Sequence, residues 1–273
     1  GQSFTMAAFV KVYGSFAGTE TDISQRNLAV NWANGDTTIL QGNGASVIYN
    51  NNNGLDSTAI LDGFVITGGS GNSGGGMYND GVSPTVSNCI FRGNVVAYQG
   101  GGMYNRDAAS PVVINCLFIN NKTTDQTGSI SGGAVNNAFS SSPKFVNCVF
   151  SGNYSNSGGG MYNYYQSSPT LINCIFSGDS SRAGGGLYNA DASPILTNCI
   201  FSGNYAYSPI NNPPINGVGG GMYDGGSSNP ILTNCTFSGN FATNGNGAIE
   251  NSGSAMPTLT NCIIWGNYGN NGG

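Results

Sequence analysis

The sequence predicts an all-β fold, a single parallel β-helix solenoid of about ten coils with three short strands per coil and little or no helix. Two repeated phrases and the phase of the cysteines predict it. GGGMYN at Gly74 to Asn79 returns at Gly100 and Gly158, then as GGGLYN from Gly184 and GGGMYD from Gly219, with degenerate copies GGAVNN from Gly132 and NGAIEN from Asn246. A second phrase, SPTVSNCIFRGN from Ser83, recurs from Ser110, Ser142, Ser168, Ser193, Asn229 and Met256. All seven cysteines share one phase, Cys89, Cys116, Cys148, Cys174, Cys199, Cys235 and Cys262, spaced by 27, 32, 26, 25, 36 and 27 residues. A phosphate-binding glycine loop is needed once and precedes a helix; here the glycines mark a period. Short Val/Ile/Phe/Tyr runs broken by Gly, Pro and Asn, stacked at this period, are the pattern of strands that pair with their own counterparts one coil above and below.

Each part of the unit has a physical reason. The two-residue period of NCIF sends Cys89 and Phe91 to one face and Ile90 to the other; the cysteines are expected inside as small buried hydrophobes, without disulfide or metal chemistry. Asn88 and its equivalents fall at a bend, where asparagine tolerates left-handed backbone and stacked amides hydrogen-bond along the column. Met77, Met103, Val135, Met161, Leu187, Met222 and Ile249 form a second inward column, and Tyr78, Tyr104, Tyr162, Tyr188 and Tyr223 alternate outward. The glycines allow a sharp turn against the neighbouring coil. Pro84 and its counterparts open a strand, where a missing donor costs least.

One corner always takes four or five residues. The other stretches to eleven between Asn121 and Gly132 and fifteen between Asn204 and Gly219, so insertions project from one edge, where a partner-specific loop would lie. The chain reads as one domain over 1–273, with irregular coils in 1–73 and seven regular coils in 74–273. About three coils are expected in 1–73, and TETDISQRNLAV is a loop or one helical turn leaving the stack.

These phrases resemble those of secreted right-handed β-helix repeat proteins of bacteria, related in architecture to pectate lyases. GGAV at Gly132 and the FRGN and FSGN variants are also similar to the GGAI and FxxN repeats of chlamydial polymorphic outer-membrane proteins. The resemblance implies a right-handed β-helix and an extracellular or cell-surface location. It does not select an activity, since the architecture carries lyases, hydrolases, adhesins and scaffolds alike.

Composition narrows the function. Charged residues make up 7%, the net charge is −5, and histidine is absent. Seven cations against twelve anions form no basic patch, so nucleic acid is not an expected partner. No apolar run approaches the roughly 20 residues of a bilayer span. No cofactor is expected. Glycoside chemistry needs two carboxylates within about 5 to 10 Å, and the best catalytic candidates, Asp56 and Asp62 with Lys11 or Arg26, read as turn residues, so an enzyme is not expected. GQSFTMAAFV lacks the pattern of a signal peptide.

Two outward columns remain as candidate contacts with glycans or neighbouring fibres. One is the tyrosine ladder. The other is an aliphatic stripe, Ile90, Leu117, Val149, Ile175, Ile200, Thr236 and Ile263, larger than a soluble monomer usually exposes. The ends suggest a third contact, since neither carries a polar or helical cap. Gly1, Ser3, Phe4 and Met6 at one end and Ile263, Trp265, Asn267, Gly272 and Gly273 at the other are candidate polymerisation residues. The expected partner is the chain itself, stacked head to tail into a filament; an adhesin or glycan-binding segment is the alternative, and a polysaccharide lyase or hydrolase the third.

Overall fold

The computed structural model describes residues 2–28, 37–124, 131–207 and 217–270. Three parallel sheets run the length of the molecule, with nine, eight and nine strands. They form a solenoid of about eight turns, and every strand pair in them is parallel. In one regular turn Met77–Asp80 lies in the first sheet, Thr85–Ser87 in the second and Ile90–Arg92 in the third. The shortfall from ten coils comes from the N-terminal region. Lys11–Tyr13 and Thr38–Gln41 belong to the same irregular first turn, because they pair with Ile60–Asp62 and Phe64–Thr67, two strands of the next turn, and among the described residues between them lies a 3-10 turn, Ile23–Gln25. Among the described residues no helix is long and apolar enough to cross a membrane.

Register follows the repeats residue for residue: Met77 pairs with Met103, Met103 with Val135, and Phe91 with Phe118. Phe91, Phe118, Phe150, Phe176, Phe201 and Phe237 are fully buried, with neighbouring rings stacked 4.4 to 5.1 Å apart. The inward methionine column from Met77 to Met222 and the first six cysteines are buried beside them, while Ile249 and Cys262 toward the last turn are half-buried. All seven cysteines are free thiols. Hydrogen bonding within the column first, then burial, pushes Cys174 and Cys199 up to about 12, so these thiols stay protonated and unreactive.

The glycine phrase has two separate causes. Gly74 sits at φ 62°, and a β-carbon on Gly75 or Gly76 would lie 2.5 Å from the carbonyl oxygen of Gly101 or Gly102 one turn above. The asparagine bend holds as well: Asn88, Asn115, Asn147, Asn173, Asn198, Asn234 and Asn261 all have φ between 52° and 56°. Asn115 Nδ2 donates to Asn88 Oδ1 at 3.3 Å, and the ladder continues through Asn147, Asn173, Asn198 and Asn234 at 3.1 to 3.2 Å.

Two further amide ladders lie inside. Asn50, Asn79, Asn105, Asn137, Asn163, Asn189 and Asp224 are fully buried, and each Nδ2 donates to the next residue's Oδ1 at 2.7 to 2.9 Å. Asn94, Asn121, Asn153, Asp179, Asn204, Asn240 and Asn267 form the other, in which the amides also donate to carbonyls of the phenylalanine sheet. Just past this ladder the chain adds two-residue strands, Val95–Val96, Lys122–Thr123, Ser180–Ser181, Tyr205–Ala206, Phe241–Ala242 and Tyr268–Gly269, giving these six turns a fourth short side, with an isolated bridge at Tyr154 in the turn between. The tips of the two insertions, residues 125–130 and 208–216, lie outside the described residues.

Candidate functional site

The first sheet presents its outward residues as a tyrosine ladder. Tyr49 stacks on Tyr78 with centroids 4.8 Å apart, and Tyr78 meets Tyr104 edge-on at 5.5 Å. The column breaks at Asn136, which pairs with both Tyr104 and Tyr162, then resumes through Tyr162, Tyr188 and Tyr223 at 4.9 and 4.6 Å. Tyr104, Tyr162 and Tyr223 are buried, so much of the ladder's surface is spent on itself. Burial pushes Tyr104 up to about 12 and raises Tyr78 as well. These phenols stay neutral and act as hydrogen-bonding groups.

Around Tyr49, Tyr78 and Tyr104 the surface opens into a groove of about 470 Å³, walled by Ser46, Ser73, Asn72, Gln99 and Arg106. That volume suits a small ligand. Corner segments on successive turns supply the wall: Ser46 Oγ donates to the Ser73 carbonyl at 3.2 Å, and Ser73 Oγ to Gln99 Oε1 at 3.3 Å. Arg106 donates to Asp107 Oδ2 through Nε at 3.0 Å and Nη2 at 2.8 Å, and through Nη1 to the Tyr78 hydroxyl at 3.5 Å. Asp80 lies 3.7 Å from its Nε. Burial raises the Asp80 carboxyl and Arg106 opposes that shift. The guanidinium is thus compensated locally, and none of the residues lining the groove is a carboxylate. Apolar ring faces beside hydroxyls, amides and a fixed guanidinium suit a polyhydroxylated ligand with apolar C–H faces.

The profile of a family described as "right handed beta helix region" matches residues 129–273. The chain belongs to the right-handed β-helix family. Among solved structures it is similar to the A-module of the mannuronan C-5 epimerase AlgE4 of Azotobacter vinelandii, at 13% identity and a TM-score of 0.36, over 88% of this chain and 86% of that one. A search of curated proteins finds no match.

Within this β-helix the candidate catalytic residues have other occupations. Arg26 Nη1 lies 2.7 Å from Asp62 Oδ1 in a buried ion pair. It also donates to the Gly14 carbonyl at 3.1 Å, and the guanidinium carbon lies 5.0 Å from the Tyr13 ring centroid. Asp62 Oδ2 accepts from Ser87 Oγ and from Asn88 Nδ2, the latter at 2.7 Å. The pair ties the N-terminal excursion to the stack and closes the outer asparagine ladder. Asp56 closes its own turn with Thr58, and Lys11 is exposed at the edge. Among the described residues no group of three or more His, Cys, Asp or Glu is placed to hold a metal.

The candidate polymerisation residues divide. Trp265 and Ile263 are 77% and 60% exposed. Met6, by contrast, is buried, and its backbone N–H caps the inner ladder at Asn50 Oδ1, 3.1 Å away. Asn267 is buried too, because it is the last rung of the other inner ladder, accepting from Asn240 Nδ2 at 2.8 Å. Phe4 bridges to Ile48 as an added rung, and Ser3, bonded to the Ser46 carbonyl, lines the tyrosine groove. Gly1, Gly272 and Gly273 lie outside the described residues.

The outward aliphatic stripe is shorter than expected. Ile90 and Leu117 are buried in a cluster with Val65, packed against Ile119 and Val149, apart from the core. Ile175 is half-buried, and of this column only Ile200 and Ile263 are exposed. Stacking covers outward aliphatic side chains with their neighbours in the same face.

Sequence reasoning missed Tyr49, Gln99 and Arg106. Tyr49 was recoverable: aligning IYNN at Ile48 with MYND at Met77 puts it in the tyrosine phase. Gln99 lies before its glycine phrase and Arg106 ends the strand Met103–Arg106, both at positions with no recurrent residue type, and only the folded chain brings them together.

Proposed function

We propose that the protein is an extracellular β-helical scaffold that binds a neutral glycan in the groove over Tyr49, Tyr78 and Tyr104. The observation that carries this is the groove itself: aromatic faces at the spacing of the turns, bordered by amides and hydroxyls, with Arg106 neutralised by Asp107 and Asp80. An anionic polymer would meet a chain of net charge −5 with no free positive patch in the groove. Binding without turnover fits a lining that lacks paired carboxylates. A glycan array carrying neutral and acidic oligosaccharides tests this, comparing the protein with Tyr78→Ala and Tyr78→Phe. Neutral glycans retained by Tyr78→Phe and lost by Tyr78→Ala are expected; selective retention of acidic glycans, or equal binding by Tyr78→Ala, contradicts it.

A second reading rests on a different observation. Among the described residues Thr258–Thr260 and Ile263–Trp265 are outermost in their sheets and paired on one side only, with exposed apolar side chains. At the opposite edge Lys11–Tyr13 and Thr38–Gln41 are likewise paired on one side. Stacking of the first edge onto the second edge of another copy extends both sheets in the same parallel sense and generates a filament. About eight turns rising about 4.8 Å each give an axial repeat of about 40 Å. Protein that remains monomeric in sedimentation at rising concentration, or fibres lacking that repeat, would overturn it.

A further inference from the structure

Beside the groove, one corner position has φ between 43° and 73° in every turn from Asn52 to Gly253. It is the residue two places after each rung of the inner ladder that runs from Asn50 to Asp224 and, in the last turn, after Asn251, which pairs with Asp224, in register throughout. Six turns use residues that accept this left-handed backbone: Asn52, Asp107, Asp191 and three glycines. The two remaining, consecutive turns place Phe139 and Tyr165 there, at φ 54° and 53°. A bulky aromatic in this conformation is a true outlier. Neither serves the core, since they are 40% and 54% exposed. They lie 5.8 Å apart, and Tyr164 meets Phe139 edge-on at 6.1 Å.

Arg106 joins this platform to the groove. Its guanidinium carbon lies 5.9 Å from the centre of the Phe139 ring, while its Nη1 reaches the Tyr78 hydroxyl. Aromatic faces therefore continue from Tyr49 across Tyr78 and Arg106 to Phe139 and Tyr165, over five successive turns. The strip's only cation is paired to carboxylates.

We propose that Phe139 and Tyr165 form an extension subsite, so that the protein holds an extended neutral β-linked glucan chain running across the turns, with one end in the tyrosine groove and later sugar units on this aromatic pair. This rests on the glycan-binding reading of the groove and adds ligand length and direction. The aromatic pair, at a position where other turns carry glycine, asparagine or aspartate, supplies stacking faces to the ligand.

The test is calorimetric titration with cello-oligosaccharides from disaccharide to hexasaccharide, on the wild-type chain and on Phe139→Asn/Tyr165→Asn. Asparagine already occupies this position at Asn52, so the variant is expected to melt at the same or a higher temperature. Wild type should bind the hexasaccharide at least about tenfold more tightly than the disaccharide. The variant should bind the disaccharide unchanged and lose the advantage of length. A wild type with no length dependence, a variant that keeps it, or a variant that loses both ligands each overturns the extension while leaving disaccharide binding by wild type as evidence for the groove. A wild type that binds no ligand of the series overturns both.

Discussion

At the scale of single residues, the inner ladders make two carboxyls conspicuous. Asp179 accepts from the Asn153 backbone and side chain at 2.8 and 2.9 Å, but its Oδ2 has no partner in a fully buried site. In neighbouring turns an asparagine Nδ2 fills that place, donating to a phenylalanine carbonyl and to the next amide. Asp224 ends the other ladder with its Oδ2 also unpartnered. Burial raises Asp179 to about 8 and Asp224 to about 7. The folded protein therefore holds both protons at mildly acidic pH, whereas the unfolded chain releases them near 4. The stability they contribute is fully present below about pH 4 and is lost as pH rises through 7 to 8. Asp179→Asn restores the missing donor. It should raise stability at pH 8 by about 1 kcal/mol or more and flatten the decline, measured by urea denaturation from pH 5 to 8. A steeper decline, or a loss of stability, would contradict the assignment of a protonated Asp179.

At the scale of elements, each turn is held by columns, and a column fails where one member is removed. Phe176 lies between Phe150 and Phe201 with centroids 4.4 and 4.7 Å away; Phe176→Ala should cost about 3 to 5 kcal/mol. Asn163→Leu strands the amide of Asn137 and the carbonyl oxygen of Asn189, each of which otherwise bonds to it at 2.9 Å. Two orphaned buried groups cost about 1 to 3 kcal/mol each, so denaturation should show a loss comparable to that of Phe176→Ala. These columns were partly legible. A strict period of two put Cys89, Phe91 and Met77 inside, and the propensity of asparagine for left-handed backbone placed Asn88 at its bend. The ladders through Asn79 and Asn94 were present in phase but not recognisable as internal, because a repeated asparagine reads the same whether it faces solvent or a neighbouring amide. The turn count, about eight rather than about ten, differs slightly for a related reason. VKVYG and TTILQ look like strands of separate coils, and only their pairing with Ile60–Asp62 and Phe64–Thr67, two strands of the next turn, shows that one turn contains both.

At the scale of the whole molecule, the repeat supplies a rigid scaffold on which rare departures carry the specificity. The outward tyrosines were legible, yet most pack on one another, and along the strip from the groove to the aromatic pair the exposed rings are Tyr49, Phe139 and Tyr165, where the repeat begins or is broken. Arg106 could not be placed from sequence, because its partners Tyr78 and Phe139 lie in the turns below and above it. If the groove is the binding site, Tyr78→Ala should weaken a neutral oligosaccharide by about tenfold or more, with Tyr78→Phe much closer to wild type, since the ring supplies the contact. The most direct measurement is a crystal structure of the protein soaked with cellohexaose. Sugar density lying against Tyr49 and Tyr78 and passing Arg106 toward Phe139 is the result expected; ordered sugar only at another face, or an empty groove under conditions where solution binding is saturated, would contradict it.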